Sequence, residues 1–190
     1  MATADVTRKS GNRKGWWFGL AAGVVLTIVA VLASGFMIEN TSKDSFCASC
    51  HVMEPFRTAW QQAVHGGNNN KGFSAQCTDC HLPHDNFLRY LVTKAKSGTN
   101  DFIQNFRIDG ATYDWAGRAE ERRTEFTFES ACRRCHHDLT PTGLPMGGLI
   151  AHRTFLLGET NKTCVDCHSH VGHKNLIEMT DAFFKKSSTI

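Results

Sequence analysis

The chain has no cysteine outside one short repeated sequence, almost no strand signal and little net charge. All eight cysteines lie in that repeat, so none remains for a separate disulfide framework. Runs in which apolar and polar residues alternate, as β-strands require, are scarce throughout. The formal net charge of +3 predicts no nucleic-acid surface. These absences favour a mainly α protein whose cysteines serve one special purpose.

The repeat is Cys-x-x-Cys-His, and it occurs four times. This is the attachment sequence of c-type haem: two thiols bond to one porphyrin and the histidine is placed to bind its iron. Zinc sites and disulfides also use paired cysteines, but neither explains a histidine directly after every second cysteine. We therefore predict four covalent haems, attached in the periplasm or an equivalent compartment. The attaching cysteines are Cys47 and Cys50, Cys77 and Cys80, Cys132 and Cys135, and Cys164 and Cys167.

One long apolar segment precedes the first motif. Residues 16–38 hold 23 residues without a charge, about 34 Å as a helix, which is enough to span a bilayer. Basic residues before it place the N-terminus in the cytoplasm by the positive-inside rule. The alternative is a cleaved signal peptide with a site at Ala33-Ser34-Gly35. We expect a cytoplasmic tail (1–15), a transmembrane anchor (16–38) and a periplasmic haem domain (39–190).

The haem domain has about 150 residues for four haems, so the porphyrins must supply much of its hydrophobic core. We expect a small multihaem cytochrome of short helices and loops. Pro55 is suited to a helix start and Asp85 to an N-cap. The predicted helices cover 56–65, 86–106 (loosened at 98–100), 118–128, 149–157 and a short C-terminal segment.

Each iron needs a second axial ligand, and six histidines lie outside the motifs: His65, His84, His137, His152, His170 and His173. His65 ends an amphipathic segment before a loop, so it can reach a distant haem. His152 lies on a short apolar helix, and His173 is suited to a haem other than that of His168. His137 is expected at the surface, and the pattern leaves His84 and His170 open.

Met53 follows the first motif by two residues. A methionine thioether is a known axial haem ligand and raises the reduction potential relative to two histidines. Met53 therefore competes with His51 for the iron of haem 1, although a purely packing role is the alternative.

Lys94, Gly98 and Asp101 share one face of the predicted helix after the second motif. Glycine is a poor helix former, and its place between two charges suits a flat group pressed against the backbone. A lysine and an aspartate beside a haem can bind a quinone head group and accept its protons. A solvated ion pair with a simple helix break at Gly98 is the alternative.

From about residue 16 to 175, the chain resembles the NapC/NirT/NrfH family of membrane-anchored quinol dehydrogenases. The resemblance is carried by one N-terminal membrane helix, the sequence Cys-x-x-Cys-His-x-Met53, three further motifs, the stretch Cys77-Thr-Asp-Cys-His-Leu-Pro-His84 and the spacing Lys94-x-x-x-Gly98-x-x-Asp101. Within the family, the compact length looks most like the NrfH branch. Segments 107–131 and 138–163 are longer than in the shortest members.

The resemblance implies a role for each site residue. Met53 would be the ligand of haem 1 in preference to His51, with Lys94 and Asp101 lining a menaquinol site beside it. Each of the other haems would have one motif histidine and one distal histidine as ligands. Haem 2 would take His81 and, as the distal ligand, His173. The pairs for haems 3 and 4 would be His136 with the local candidate His152, and His168 with the distal His65.

The resemblance also implies the activity. Menaquinol would be oxidised at the membrane surface, and electrons would pass to a periplasmic multihaem reductase, the pentahaem nitrite reductase NrfA being favoured. The chain has no nitrite-reducing site of its own. A NapC-like donor to nitrate reductase or several acceptors is the alternative, and a haem-bearing anchor that does not oxidise quinol is a third reading.

Overall fold

The computed structural model describes residues 13–187, and within them the chain is helical with no strand. The predicted mainly α class is confirmed. Two compact units divide at Thr41, the first containing the N-terminal helix and the second beginning at Ser42. The helices are α1 (Arg13–Asn40), α2 (Asp44–Cys47), α3 (Glu54–Gln61), α4 (Cys77–His81), α5 (Phe87–Arg107), α6 (Trp115–Phe126), α7 (Glu129–Cys135), α8 (Met146–Leu156), α9 (Cys164–Cys167) and α10 (Leu176–Ser187).

Helix α1 is the anchor candidate. It has 28 residues, a length of about 42 Å, and no buried side chain. Among the described residues it is the one helix long and apolar enough to cross a membrane, with a mean hydropathy of 2.4. It begins three residues before the predicted span and ends two residues after it. Of the predicted tail, residues 1–12 lie outside the described residues and 13–15 belong to α1.

The helix after the first motif is shorter than predicted. Helix α3 ends at Gln61, because the backbone of Ala63 is extended and cannot continue it. His65 therefore lies not on α3 but in a separate 3-10 turn, Val64–Gly66. Gly66 packs so tightly on the carbonyl of Trp60 that a Cβ would overlap it. This packing fixes the turn that carries His65.

Helix α5 is one residue displaced from the prediction. Its N-cap is Asn86, not Asp85: the Asn86 Oδ1 atom accepts a 3.0 Å hydrogen bond from the Arg89 N–H. The helix runs without interruption through Gly98, so the predicted loosening at 98–100 is wrong. Backbone hydrogen bonds within a 21-residue helix outweigh the low propensity of a single glycine.

Two later helices begin earlier than predicted. Helix α6 starts at Trp115 because the carboxylate of Asp114 accepts a hydrogen bond from the Gly117 N–H at 3.0 Å. Helix α8 starts at Met146, directly after Pro145, whose extended backbone ends the preceding loop. In both cases the sequence predicted the central turns of the helix correctly and placed its first residue three positions too late.

The fully buried core of the described chain is small. Most of its members are alanines or other small side chains, and only Trp60 and Phe184 are large aromatic ones. The Trp60 indole donates a 3.1 Å hydrogen bond to the Ala75 carbonyl. Phe184 stacks on Trp115 with 5.3 Å between ring centroids and fills the space beside Gly110. A protein core this limited fits the expectation that haem supplies the remainder.

Candidate functional site

Three of the four motifs have the same local structure. The two cysteines of the second, third and fourth motifs lie three residues apart on one helical turn, in α4, α7 and α9. A separation of three residues on a helix directs both side chains to one side, as attachment to one porphyrin requires. The first motif differs: α2 ends at Cys47, and Cys50 is extended before a 3-10 turn, His51–Met53. The first site is therefore built differently from the others.

Capping boxes hold the second and fourth motifs. The backbone N–H of Gln76 donates to the Asp79 carboxylate at 2.9 Å, and the Gln76 side chain reciprocates. Thr163 makes the equivalent pair with Asp166, through its N–H at 2.6 Å and its hydroxyl at 2.8 Å. These short helices have only one turn, so the reciprocal caps largely determine their geometry.

The four motifs lie in chain order. The Cys77 thiol donates a hydrogen bond to the Cys47 sulfur, which lowers the pKa of Cys47 to about 7 and raises that of Cys77. Burial, with the nearby Cys132 sulfur, raises the pKa of Cys80 to about 11. Cys164 in turn is hydrogen-bonded to Cys132. The second motif thus adjoins the first and the third, and the third adjoins the fourth.

Three pairs of histidine rings lie next to each other at nearly equal separations, with their planes tilted by 37–60°. The ring centroids are 6.1 Å apart for His81 and His173, 6.1 Å for His65 and His136, and 6.2 Å for His152 and His168. Two imidazoles bound to opposite sides of one metal, each with a bond of about 2.0–2.1 Å, have centroids roughly 6 Å apart. Each pair joins one motif histidine to one histidine from outside the motifs.

Backbone carbonyls orient several of these rings. Nδ1 of His81 bonds to the Phe126 carbonyl at 2.6 Å, Nδ1 of His152 to that of Leu139 at 2.6 Å, and Nδ1 of His173 to that of Phe56 at 3.1 Å. A hydrogen bond at Nδ1 leaves Nε2 as the ligating atom.

Burial also keeps rings of these pairs neutral, the form that binds metal. It lowers the pKa of His81 and of His65, and together with the neighbouring His81 it lowers that of His173 to about 4.

Two of the ring pairs differ from the ligand sets that the resemblance implies. His173 lies beside His81, as expected for haem 2. His65, however, lies beside His136 of the third motif and not beside His168, and His152 lies beside His168 of the fourth. The physical reason is that the turn Val64–Gly66 places the His65 ring against the third motif. The carbonyl of Leu139 fixes the His152 ring beside the fourth.

The three remaining histidines are placed differently. Both ring nitrogens of His84 have partners, since Nε2 lies 3.2 Å from the Thr78 carbonyl and Nδ1 lies 3.4 Å from the Arg134 guanidinium. His137 and His170 are exposed. The structure therefore assigns His137 to the surface, as expected, and gives the undecided His84 a local hydrogen-bonding role.

At the first motif, no ring contact of residues 13–187 involves His51, whose side chain is exposed. Met53 is half-buried, and Val52 between them is buried.

Lys94 lies beside the first motif. Its ammonium group donates a 2.7 Å hydrogen bond to the Ser42 hydroxyl, which is itself 3.2 Å from the Tyr90 hydroxyl. The positive charge of Lys94 lowers the pKa of Cys47, and the negative charge of Asp101 raises it. Both predicted residues therefore lie near the first haem-attachment cysteine.

Asp101 and the neighbouring part of α5 offer polar groups and open space to a ligand. Burial raises the pKa of the Asp101 carboxyl, opposed by a hydrogen bond from Asn100 and the charge of His81. The space above Gly98 is open, with no atom near the position of a Cβ. One turn beyond Asp101 on the same face, the buried Asn105 Oδ1 atom has no protein partner.

A buried cation adjoins the third motif and provides a further test of fit to haem. The Nη1 atom of Arg133 is buried without a protein partner, and a haem propionate is a carboxylate of the kind a guanidinium binds. Within residues 13–187, no group of three or more histidine, cysteine or acidic side chains is arranged to hold a metal ion. The described residues fit four c-type haems.

Some functional neighbours could not be found from the sequence. Ser42 is 52 residues from Lys94 along the chain, and nothing in its local pattern marks it. The carbonyl acceptors of Phe56, Phe126 and Leu139 belong to residues whose identity does not matter, because only their backbone is used.

Comparison with known proteins agrees with this site. The sequence model of the NapC/NirT cytochrome c family, N-terminal region, matches residues 9–179. The tetraheme c-type cytochrome CymA of Shewanella oneidensis is 34% identical over 81% of this chain and 88% of its own length. The cytochrome c-type protein NrfH of Wolinella succinogenes is 29% identical over 86% of this chain and 85% of its own length.

A longer relative is also similar. The cytochrome c-type protein TorC of Escherichia coli K12 is 30% identical over 88% of this chain, but the chain spans only 44% of the length of TorC. No solved structure matches the chain.

Proposed function

Since the chain belongs to the NapC/NirT cytochrome c family, we propose that it is a membrane-anchored quinol dehydrogenase, passing electrons from menaquinol through four c-type haems to a periplasmic reductase. Helix α1 would hold it in the cytoplasmic membrane with the N-terminus inside, since basic residues precede the apolar segment. Residues 39–190 would then form the periplasmic haem domain.

We propose axial ligands from the ring pairs. Haem 2 would take His81 and His173, haem 3 His136 and His65, and haem 4 His168 and His152. Haem 1 would take Met53, since His51 is the one motif histidine whose ring pairs with no other histidine ring among residues 13–187. The eight motif cysteines would carry the covalent bonds.

The proposed quinol site lies on the face of α5 that carries Lys94, Gly98 and Asp101. Oxidation of a quinol releases two electrons and two protons, and the haems supply the one-electron carriers. The Lys94 ammonium can donate a hydrogen bond to a quinol oxygen. The Asp101 carboxylate can accept a hydroxyl proton, because burial brings its pKa closer to neutral. The open space at Gly98 admits a flat ring.

One observation carries this proposal: the charges of Lys94 and Asp101 both act on Cys47. A structural ion pair would need the two groups to neutralise each other, yet Lys94 is bonded to Ser42 and Asp101 to Asn100. Both groups therefore lie near the first haem site without being paired to each other, which leaves them able to bind a substrate there.

The test is menaquinol oxidation by the full-length protein in liposomes, followed as haem reduction. Lys94→Gln and Asp101→Asn should each lower the initial rate at least about 10-fold, since each loses a hydrogen bond to a charged group. The matched controls are Lys71→Gln and Asp181→Asn, at exposed positions away from α5. All four proteins should bind four haems and be reduced fully by dithionite. Unchanged rates in both site variants would refute the quinol site.

For the electron acceptor, we propose a periplasmic multihaem reductase, with the pentahaem nitrite reductase NrfA favoured. The support is the short sequence features shared with the NrfH branch, Cys-x-x-Cys-His-x-Met53 and the Lys94–Asp101 spacing. Co-purification of the full-length protein from membranes, with haem counting and a nitrite-reduction assay, tests it.

A second candidate acceptor has equal support in sequence. The cytochrome c-type protein NapC of Escherichia coli K12 is 30% identical over 84% of this chain, and NrfH is 29% identical over 86%. A NapC-like donor to nitrate reductase or to several acceptors therefore competes. Co-purification of a nitrate reductase, with no nitrite reduction, would favour this alternative.

A further inference from the structure

Helix α5 has a second face that the proposed quinol site does not use. Five large apolar side chains along it are exposed, including Leu88 at 68%, Val92 at 59% and Phe106 at 74%. Phe102 and Ile103 complete the set, and Phe102 contacts Phe106 with 5.2 Å between ring centroids. We call these five residues the α5 apolar stripe. A soluble surface rarely exposes so many neighbouring large apolar side chains.

A haem beside Gly98 cannot cover this stripe. At about 100° per residue, Gly98 and Asp101 lie roughly within 40° of Lys94 around the helix. Leu88, Val92, Ile103 and Phe106 lie roughly 120–180° away from Lys94 by the same count. Phe102 lies roughly 80° from Lys94, at the edge of the stripe. Four of the five stripe residues are therefore on the far side of α5 from Lys94.

Basic residues border the stripe, and acidic ones are missing from it. Lys96 and Arg107 lie roughly 200–220° from Lys94, along one edge of the stripe. Asp101 is the only acidic residue of α5, and it lies on the opposite face. Arg89 lies on the same edge as Lys96, but its guanidinium is paired with Asp85 and is left out of this argument. A wide apolar face with a cationic edge is typical of helices that lie in a bilayer interface.

A residue that follows the anchor closely in the sequence is bonded to α5. Ser42 comes two residues after Asn40, the last residue of α1. Two residues of extended chain reach about 7 Å, so Ser42 cannot lie far beyond the end of the anchor. Within the second unit, Ser42 is bonded to Lys94 and Tyr90 of α5. The helix that carries the stripe is thus bonded to the part of the unit that adjoins the anchor along the chain.

We propose that α5 is a second membrane-contact element, lying in the interface of the bilayer with its apolar stripe among the acyl chains near the headgroups. Lys96 and Arg107 would meet anionic headgroups along the edge of the stripe. The partner is therefore a lipid surface that carries negative charge. This proposal does not depend on quinol oxidation, because it concerns the opposite face of the helix.

The test uses the full-length holoprotein in nanodiscs that contain a phospholipid with a photoactivatable diazirine on its acyl chain. After illumination, mass spectrometry measures labelling of peptides from α1, α5 and α8. Helix α1 is the positive control. Helix α8 is the matched negative control, because it also exposes large apolar side chains, Met146 and Ile150. We expect labelling of residues 87–107 at least about five times that of 146–156.

Variants distinguish specific insertion of the α5 apolar stripe from non-specific adsorption of lipid to exposed apolar side chains. Val92→Glu with Phe106→Glu should lower labelling of α5 at least about fivefold and leave α1 unchanged, whereas Ile150→Glu should change neither. Raising the fraction of phosphatidylglycerol should raise α5 labelling, and Lys96→Gln with Arg107→Gln should remove that dependence. Haem content and menaquinol oxidation, measured in parallel, show whether each variant is folded.

Two results would overturn the proposal. The first is α5 labelling no greater than that of α8 in a protein with four haems and full activity. The second is absent α5 labelling together with a dimeric mass that Val92→Glu with Phe106→Glu reduces to a monomer, which would assign the stripe to a second copy of the chain.

Discussion

The Lys94 ammonium and the Ser42 hydroxyl are joined by a 2.7 Å hydrogen bond across 52 residues of chain. Ser42 is the first residue of the haem-bearing unit, and Lys94 lies on the face of α5 next to Cys47. The bond orients a flexible lysine side chain, whose ordering otherwise costs up to about 2 kcal/mol. Ser42 is therefore a positioning residue for the proposed quinol site.

Replacing Ser42 by alanine should weaken menaquinol oxidation. The lost bond to a charged group is worth about 1.5–3 kcal/mol, so we expect kcat/KM to fall roughly 10-fold or more. Steady-state rates in liposomes measure this. Ser34→Ala is the control, because the exposed Ser34 hydroxyl makes a similar 2.7 Å bond, to the Ala30 carbonyl, and has no contact with Lys94. Equal rates for the two variants would exclude the positioning role.

The raised pKa of Asp101 predicts a pH dependence. Only the ionised carboxylate accepts a proton, so menaquinol oxidation should fall as the pH drops through the raised pKa. In Asp101→Asn the residual rate should lose this acidic limb. A pH–rate profile of both proteins measures it, and an identical limb in the variant would assign the titration to another group.

The same pKa shift predicts an effect on stability, with the opposite sign from an ordinary ion-paired aspartate. A carboxyl whose folded pKa lies above its unfolded pKa destabilises the fold when ionised. This cost is fully present above the folded pKa and disappears below the unfolded one. Asp101→Asn should therefore raise Tm at pH 7, with a gain that shrinks as the pH approaches the ordinary value of 3.8. Thermal unfolding at pH 4 and pH 7 tests the sign.

The revised ligand pairs are testable by haem deletion. His65→Gly should convert one low-spin haem to high spin, which electron paramagnetic resonance detects. In a protein that lacks haem 3 through Cys132→Ala and Cys135→Ala, the same change should convert none, because His65 lies beside His136. If His65 served haem 4 instead, as the sequence predicted, the conversion would still occur. A haem count of three validates the background.

Ligation by Met53 predicts a change in potential. A thioether raises the haem potential relative to a second imidazole, so Met53→His should lower one of the four midpoint potentials by on the order of 100 mV. A spectroscopic redox titration resolves the shift. Met146→His, at an exposed position on α8, should leave all four potentials in place. A titration curve unchanged by Met53→His would favour a packing role for Met53.

The contact between Gly110 and Phe184 predicts a stability defect away from the haem sites. A Cβ at position 110 would overlap the Phe184 ring, so Gly110→Ala must displace a buried aromatic side chain. We expect a loss of about 1–3 kcal/mol in the free energy of unfolding. Gly147→Ala is the control, since nothing surrounds that position in α8 and alanine favours helix. Denaturant unfolding compares them.

The sequence predicted the chemistry of the chain better than its spatial pairing. The haem motifs could be recognised because haem attachment needs fixed residue types at fixed spacing. Lys94 and Asp101 could be predicted as a pair because helical spacing places them on one face. That the His65 ring lies beside His136 and the His152 ring beside His168 could not be predicted from spacing. It depends on an extended Ala63 and on the carbonyl of Leu139, which leave no pattern in the sequence.

Helix ends were missed for a related reason. Asp114 and Asn86 determine where their helices begin through single side-chain hydrogen bonds, and several neighbouring polar residues were equally plausible caps. Whether a segment is helical depends on many residues, so the helices themselves were predicted well. The first residue of a helix depends on a single capping side chain, so it was predicted less well.

The hydrogen bonds between thiols of different motifs bear on the order of haem attachment and folding. In the folded chain, Cys47 is bonded to Cys77, and Cys132 to Cys164, so sulfurs intended for different porphyrins are next to each other and half-buried. In an oxidising compartment, such neighbours form disulfides. Haem attachment before the fold closes would keep sulfurs of different motifs from joining each other.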